Sequence, residues 1–170
     1  MDLASYIRNI PDFPRPGIQF KDITTLLKDK RAFREAIDRL VDLFRDRDVE
    51  LVVGIEARGF IIGAPLAYHL GCGFVPVRKK GKLPAETLAK TYQLEYGSAT
   101  LEIHRDAIRP GQRVLIIDDL LATGGTTRAV CEMVEELGGN IVAVGFVIEL
   151  EALKGRAKLS PHPVYSLVQL

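Results

Sequence analysis

The chain has 170 residues, enough for one domain with a sizeable core and short for two. It is 47% hydrophobic and 26% charged, as is typical of a globular protein. Its formal net charge of +1 gives no electrostatic reason to expect a nucleic-acid or membrane partner. No apolar run approaches the ~20 residues of a membrane-spanning helix, and the first ten residues do not resemble a signal peptide. Cys72 and Cys131 stand apart from any CxxC or histidine cluster, so we expect buried free thiols in a cytoplasmic protein.

The first part of the chain predicts an irregular arm, a helix, and then a strand followed by a second helix. Prolines and a glycine favour a loop over residues 11–20. Apolar residues recur at helical spacing over residues 33–44, and Asp29 is placed to cap this helix. Residues 51–55 (Leu-Val-Val-Gly-Ile) are typical of a buried strand, and the apolar residues 60–70 predict the next helix.

The middle of the chain predicts two short strands separated by a long loop. Residues 74–77 and 99–103 have the apolar composition of strands. Residues 79–98 between them are polar and contain two glycines and a proline. Compact domains seldom hold a loop of this length unless it serves as a lid or a binding element. We therefore predict an active-site lid over residues 79–98.

The last part of the chain predicts further strands alternating with a helix. Residues 114–117 are the clearest buried strand, and residues 126–137 predict a helix. Residues 141–148 and 165–168 predict two more strands. Strands that alternate with helices favour a single α/β domain, spanning residues 1–170, whose sheet is mainly parallel and flanked by helices.

The strongest motif follows the strand at residues 114–117, where ligands bind in parallel sheets. Asp118 and Asp119 come first, and residues 120–127 read Leu-Leu-Ala-Thr-Gly-Gly-Thr-Thr. The glycines allow close approach to the backbone, and hydroxyls and amides at the start of the helix suit a phosphate monoester. The two carboxylates repel phosphate and suit hydroxyl groups or a metal-coordinated diol. Together they outline a ribose 5-phosphate site, the alternative being a capped helix beside solvated acids.

Two further segments follow predicted strands at the same edge of the sheet. Residues 56–60 (Glu-Ala-Arg-Gly-Phe) place Arg58 beside a glycine, a pairing of bidentate donors and open amides that suits a polyphosphate. Residues 78–84 carry a basic cluster. Taken alone, the first is typical of a surface arginine and the second of a solvated cluster. Their place beside a phosphate site favours anion binding.

Residues 114–127 resemble the signature with which type I phosphoribosyltransferases bind phosphoribosyl pyrophosphate (PRPP). The resemblance implies that Asp118 and Asp119 hold the ribose hydroxyls. It also implies the fold of that family: a mainly parallel sheet flanked by helices, with an N-terminal hood and a long flexible loop. The residues that would wrap the 5-phosphate are Ala122, Thr123, Gly124, Gly125 and Thr126.

The same resemblance gives roles to the basic residues. Residues 56–60 correspond to the pyrophosphate loop, so Arg58 would act catalytically on the leaving group. Arg78 and Lys82 would add positive charge for the pyrophosphate. Ala57 departs from the serine that adenine-specific members often carry, which removes one hydroxyl contact and leaves the backbone contacts in place.

Two segments resemble the adenine phosphoribosyltransferases in particular. Residues 94–97 (Leu-Glu-Tyr-Gly) imply that Glu95 exchanges a proton with the purine and that Tyr96 lies in the substrate site. Residues 1–27 contain a proline-rich segment similar to the hood over the base, and residues 154–156 (Lys-Gly-Arg) are similar to the family's end. Adenine would contact the ring of one hood residue and the backbone of its two neighbours: Phe20, Gln19 and Lys21.

The resemblance implies purine salvage, in which adenine and PRPP give AMP and pyrophosphate. Mg²⁺ would be bound through PRPP with no metal site of the protein's own, and the chain would form a homodimer. A xanthine or hypoxanthine–guanine phosphoribosyltransferase would share the ribose 5-phosphate site but should lack the hood and the segment at residues 94–97. A non-catalytic regulator of the same fold would bind PRPP or a nucleotide and usually carries a basic nucleic-acid surface. The net charge of +1 argues against that alternative.

Overall fold

The computed structural model describes residues 1–94 and 97–170. Short 3₁₀ turns cover Leu3–Tyr6 and Glu151–Leu153. The helices are α1 (Thr24–Lys28), α2 (Lys30–Phe44), α3 (Arg58–Leu70), α4 (Gly125–Glu136) and α5 (Arg156–Leu159). The strands are β1 (Arg8–Pro11), β2 (Gln19–Asp22), β3 (Leu51–Ile55), β4 (Gly73–Lys79), β5 (Thr87–Leu94), β6 (Gly97–His104), β7 (Arg113–Leu121), β8 (Asn140–Glu149) and β9 (Val164–Gln169).

The described strands form one large sheet and one small one. The large sheet has the strand order β5-β6-β4-β3-β7-β8-β9. Five neighbouring strands are parallel, in the order β4-β3-β7-β8-β9, whereas β6 pairs antiparallel with both β4 and β5. β1 and β2 form a separate antiparallel pair in the N-terminal arm. The predicted α/β fold with a mainly parallel sheet is confirmed.

Apolar side chains cover both faces of the parallel strands. Every residue of β3 is buried, and its alternate side chains enter two different hydrophobic clusters. One cluster includes side chains of α4 and α5, and the other includes side chains of α1, α2 and α3. Burial on both faces explains why these strands are continuous apolar runs in the sequence.

The ring of Phe74 fixes the position of α3 on the sheet. A Cβ atom added at Gly54 of β3 would lie 2.6 Å from this ring, and one at Gly63 of α3 would lie 2.8 Å from it. The ring therefore fills the space that the two glycines leave open. Because α3 begins at Arg58, this packing also sets where the first turn of α3 meets the ends of the strands.

Three of the predicted boundaries need correction. The loop expected at residues 79–98 is wrong for most of its length, because β5 and β6 form a hairpin paired from Thr87↔His104 to Leu94↔Gly97. Residues 11–20 are irregular only in their centre, since both ends belong to paired strands. The strand predicted at 114–117 continues to Leu121 and carries both aspartates.

The prediction for the cysteines also needs a correction. Both thiols are free, and Cys131 is buried as expected, but Cys72 is only half-buried. Burial raises the pKa of Cys131 to about 12.

The helix predictions are confirmed, including the cap of α2, where the Asp29 carboxylate accepts hydrogen bonds from the amides of Arg31 and Ala32. None of the helices formed by the described residues is long and apolar enough to cross a membrane.

Candidate active site

The aspartate pair lies at the carboxyl end of β7, against the first turn of α3. Alternation along the strand sends the two side chains to opposite sides. Asp119 is 5% exposed, and its carboxylate accepts a hydrogen bond from Nε of Arg58. Asp118 faces Gly59, where a Cβ atom would lie 3.1 Å from its Oδ1. The absence of a side chain at Gly59 therefore lets α3 approach the pair closely.

The pair and Arg58 perturb one another electrostatically. Burial, together with the neighbouring Asp119 charge, raises the pKa of Asp118 well above its usual range. Burial also opposes the charge on Arg58, but its hydrogen bond and attraction to Asp119 prevail and raise the pKa of the guanidinium. The site thus holds a tight ion pair beside a carboxyl group that resists ionisation. A cation or a hydroxyl donor bound beside this carboxyl group would stabilise its ionised form.

The loop that follows β7 forms an open cradle at the N-terminus of α4. Gly124 has a φ of 89° and precedes the helix, whose first residue is Gly125. Apart from its chain neighbours and the backbone of α4, no described heavy atom lies within 4 Å of a Cβ atom built at Gly125. The start of α4 also lines a cavity, and an anion bound there would be stabilised by the helix dipole. The cavity here, of about 210 Å³, is lined by Arg58, Asp118, Asp119, Leu120, Leu121, Ala122, Thr123, Gly124, Gly125, Thr126 and Thr127.

A late segment of the chain supports this cradle from behind. A Cβ atom at Gly155 would lie only 2.4 Å from the carbonyl oxygen of Ala122, and one at Gly124 would lie 2.6 Å from the carbonyl oxygen of Gly155. Arg156 holds the segment in place by donating two hydrogen bonds, of 2.6 and 2.9 Å, to the buried carboxylate of Glu149. The resemblance at residues 154–156 thus has a physical basis: the segment packs backbone to backbone against the cradle.

A second cavity, of about 300 Å³, adjoins the aspartate pair and lies beyond the ends of β3, β4 and β7. Its lining residues are Glu56, Ala57, Arg58, Lys79, Asp118 and Asp119. Arg78 donates from Nε to Oε1 of Glu56 at 2.9 Å instead. Of the described basic residues that follow residue 77, Lys79 lines this cavity, whereas Arg78 and the exposed Lys82 do not.

The N-terminal arm meets the site at Arg58. The ring of Phe20 has its centroid 6.0 Å from Cζ of Arg58, and the ring of Phe13 packs edge-on against it at 5.2 Å. The side chains of Gln19 and Lys21 both hydrogen-bond to Asn9 on the neighbouring strand. These side chains are engaged within the arm, which is compatible with recognition through backbone groups.

Comparison with known proteins gives a single answer. The phosphoribosyl transferase domain family matches residues 22–167. The adenine phosphoribosyltransferase of Chloroflexus aurantiacus is 62% identical over 99% of this chain and 97% of its own length. The chain belongs to the adenine phosphoribosyltransferase family.

Solved structures of the family have the same fold. The crystal structure of the adenine phosphoribosyltransferase from Thermoanaerobacter pseudethanolicus has a TM-score of 0.96 and 54% identity, covering 99% of this chain and 98% of that one. The Saccharomyces cerevisiae enzyme, crystallised with an imino-altritol bisphosphate and adenine, has a TM-score of 0.92 and 44% identity, covering 98% and 96% of the two chains. The family fold therefore extends over nearly the whole chain.

Two of the site residues implied by the family resemblance, Glu95 and Tyr96, lie outside the described residues. The structure instead brings in Tyr92, whose hydroxyl is 3.1 Å from Oγ1 of Thr126 in the cradle. Neither this contact nor the support by Gly155 could be predicted from the sequence, because each joins segments more than thirty residues apart. Lys79 belongs to the basic segment that the sequence offered for the pyrophosphate, although the resemblance assigned that role to Arg78 and Lys82 before it; the structure places Lys79 on the cavity.

Proposed function

We propose that this chain joins adenine to PRPP, giving AMP and pyrophosphate. One observation carries the proposal: the cradle at α4, the aspartate pair and the N-terminal arm all meet at Arg58. A phosphate, a pair of hydroxyls and a flat base therefore have adjacent sites. The identity of about 60% to adenine phosphoribosyltransferases along the whole chain supports adenine as the base.

In this proposal the 5-phosphate binds the amides and hydroxyls of residues 122–126. The ribose hydroxyls donate hydrogen bonds to Asp118 and Asp119. The bond from the anomeric carbon to pyrophosphate breaks, and N9 of adenine forms the new bond from the opposite face. The pyrophosphate takes the electron pair, and Arg58 and Lys79 stabilise its charge from the second cavity. Arg78 and Lys82 do not line this cavity, but Arg78 adjoins it through its hydrogen bond to Glu56, and both would add positive charge for the pyrophosphate.

Mg²⁺ fits this site as a metal that is bound largely by the substrate. Residues 1–94 and 97–170 contain no group of three or more histidine, cysteine or acidic side chains that could hold a metal ion. The oxygens of PRPP would therefore provide most of the ligands, and Asp118 and Asp119 would hold the ribose hydroxyls beside them. When bound, the metal supplies positive charge for the departing pyrophosphate.

The remaining parts of the proposal concern the base and the shielding of the site. The arm formed by residues 1–27 covers adenine, with the ring of Phe20 against the base. Glu95 exchanges a proton with the purine, and Tyr96 contributes to the same site. Residues 79–98 shield the reaction from water, which would otherwise hydrolyse PRPP.

We also propose a homodimer in the cytoplasm. Helix α3 supports the dimer, because Ile61 and Tyr68 are 44% and 81% exposed and lie on one side of this helix. The free thiols support a reducing compartment. Light scattering on the purified chain tests the dimer, and a monomer at micromolar concentration would refute it.

A substrate screen tests the reaction. The protein is incubated with PRPP, Mg²⁺ and one of adenine, hypoxanthine, guanine or xanthine, and the nucleoside monophosphates are quantified. We expect AMP to form far faster than the other products, because a keto oxygen facing a backbone acceptor costs about 1–3 kcal/mol. Comparable rates with hypoxanthine would refute the choice of base. Binding of PRPP without any product would favour a regulator, and full activity after complete chelation would refute the role of Mg²⁺.

A further inference from the structure

Tyr92 connects the β5–β6 hairpin to the proposed phosphate cradle. Its side chain is partly buried against the hydrophobic cluster beneath α4, and its hydroxyl lies 3.1 Å from Oγ1 of Thr126. Two residues earlier on the same face of β5, Nζ of Lys90 lies 3.1 Å from Oε2 of Glu132. β5 is therefore bound to α4 at two points, and the point nearer the start of α4 is a cradle hydroxyl.

The hairpin has a narrow attachment to the rest of the sheet. Its two strands are paired with each other over eight positions. By contrast, β6 pairs with β4 at only two positions, Arg78↔Glu102 and Lys79↔Leu101. The contacts between β5 and α4 consequently contribute a large share of what holds the hairpin in place. A change at Thr126 can therefore alter how firmly the hairpin is docked.

Binding of a phosphate changes what the Thr126 hydroxyl must do. Each hydroxyl has one hydrogen to donate and can accept from others. In the structure Thr126 donates to the oxygen of Tyr92. A phosphate dianion only accepts, so Thr126 must turn its hydrogen toward the phosphate. The Tyr92 hydroxyl can then donate to the freed oxygen of Thr126, which makes a chain of two hydrogen bonds ending on the anion, and such chains strengthen one another.

We propose that Tyr92 is a positioning residue for the 5-phosphate, acting through the hydroxyl of Thr126. Docking of the hairpin on α4 and binding of the phosphate then stabilise each other, because a coupling between two sites is reciprocal. The inference rests on the proposed function in one respect, namely that residues 122–126 bind the 5-phosphate. It adds that an occupied cradle holds the described part of the hairpin more firmly against α4.

The test uses Tyr92→Phe, which keeps the ring and removes only the hydroxyl. Ribose 5-phosphate is the probe, titrated by calorimetry into the full chain without adenine. We expect the Kd to rise about three- to tenfold, the usual effect of losing one hydrogen bond of this kind. Hydrogen exchange of amides in residues 87–94 and 97–104 should slow on addition of ribose 5-phosphate in the wild type. This slowing should be much smaller in the variant, an effect that a general loss of stability would not produce.

Two controls separate this role from simple structural support. Thr91→Val also removes one hydroxyl from β5, but that hydroxyl bonds Thr100 across the hairpin at 2.8 Å, and alternation places it on the opposite face of β5 from Tyr92. We expect it to leave the affinity for ribose 5-phosphate unchanged. In a Thr126→Ala background, Tyr92→Phe should have no further effect on affinity, because the connecting hydroxyl is already gone.

The outcomes are distinguishable. Wild-type affinity and wild-type slowing of exchange in Tyr92→Phe would overturn the inference, as would an equal loss of affinity in the Thr126→Ala background. Tyr92→Phe should melt within about 2 °C of the wild type, since the ring and its packing remain. If the folded wild type binds no ribose 5-phosphate at all, the proposed function itself is wrong.

Discussion

A methyl group added at Gly155 tests whether the late segment of the chain positions the cradle. Gly155 has a φ of −60° and a ψ of −28°, a conformation that alanine adopts without strain. The obstacle to Gly155→Ala is therefore space alone. The new Cβ atom would lie 2.4 Å from the carbonyl oxygen of Ala122 and 2.8 Å from a methyl carbon of Leu121.

The size of the effect follows from these distances. Ordinary van der Waals contact begins at 3.4 Å, so the two backbone segments must separate by about 1 Å. Overpacking of this kind costs about 1–3 kcal/mol. If the ligand requires the original position of the cradle, that cost falls on binding, and each 1.4 kcal/mol is a factor of ten. We expect the Kd for ribose 5-phosphate to rise about five- to hundredfold and the KM for PRPP to rise with it.

Calorimetry with ribose 5-phosphate and a thermal melt of the same samples provide the assay. The matched control is Gly139→Ala, whose Cβ atom would meet a methyl carbon of Val134 at 2.7 Å in the turn after α4, away from the cradle. Both variants should lose stability, but only Gly155→Ala should lose affinity. Equal melting losses with unchanged affinity in both variants would refute the claim that Gly155 positions the cradle.

Three further substitutions have distinct expected results. Burial raises the pKa of Asp118, so its stabilising contribution is present while the group is protonated and is lost as pH rises through the folded-state pKa. Asp118→Asn should therefore melt higher than the ligand-free wild type at neutral pH, with a smaller gain in acid, and a lower melting temperature at pH 7 would refute this. Arg156→Met leaves the carboxylate of Glu149 buried without its main partner. It should lower the free energy of unfolding in urea by about 2–4 kcal/mol. Adding Glu149→Gln to this variant should recover most of that stability, because the unpaired charge is then gone. Glu95→Gln should lower kcat by about 10²–10⁴ without changing affinity for ribose 5-phosphate, and a wild-type kcat would remove its proposed proton-exchange role.

The parallel part of the fold could be predicted because its strands have apolar side chains on both faces. β3, β7 and β8 appear in the sequence as unbroken apolar runs, and each lies within one or a few residues of its expected place. The hairpin could not be predicted in the same way. β5 is an edge strand with Leu88 as its single buried residue among those described, so its polar residues resemble a loop.

In the candidate site, the parts that are contiguous in sequence could be predicted, and the contacts that depend on tertiary packing could not. The acid pair and the cradle are contiguous in sequence, and local geometry alone brings them together. The basic segment was harder to interpret because its strand was predicted to end too early. β4 continues to Lys79, so alternation turns Arg78 toward Glu56 and Lys79 toward the cavity. Contacts such as Tyr92 with Thr126 depend on tertiary packing and leave no mark in a single sequence.

The ring of Phe74 between two glycines has a consequence for how sequences of this family can diverge. Glycine inside a helix lowers stability by about 1 kcal/mol relative to alanine. With a smaller side chain in place of Phe74, mutation of Gly63 to alanine would therefore stabilise α3. A side chain at Gly63 requires the ring of Phe74 to move or to be replaced by a smaller group, and one at Gly54 would in addition meet the carbonyl oxygen of Gly59 at 3.2 Å. These three positions should therefore covary among homologues. An ancestor that exchanged the ring for a smaller residue would have been free to acquire alanine in α3, whereas the reverse order passes through a clash that shifts the helix start at Arg58.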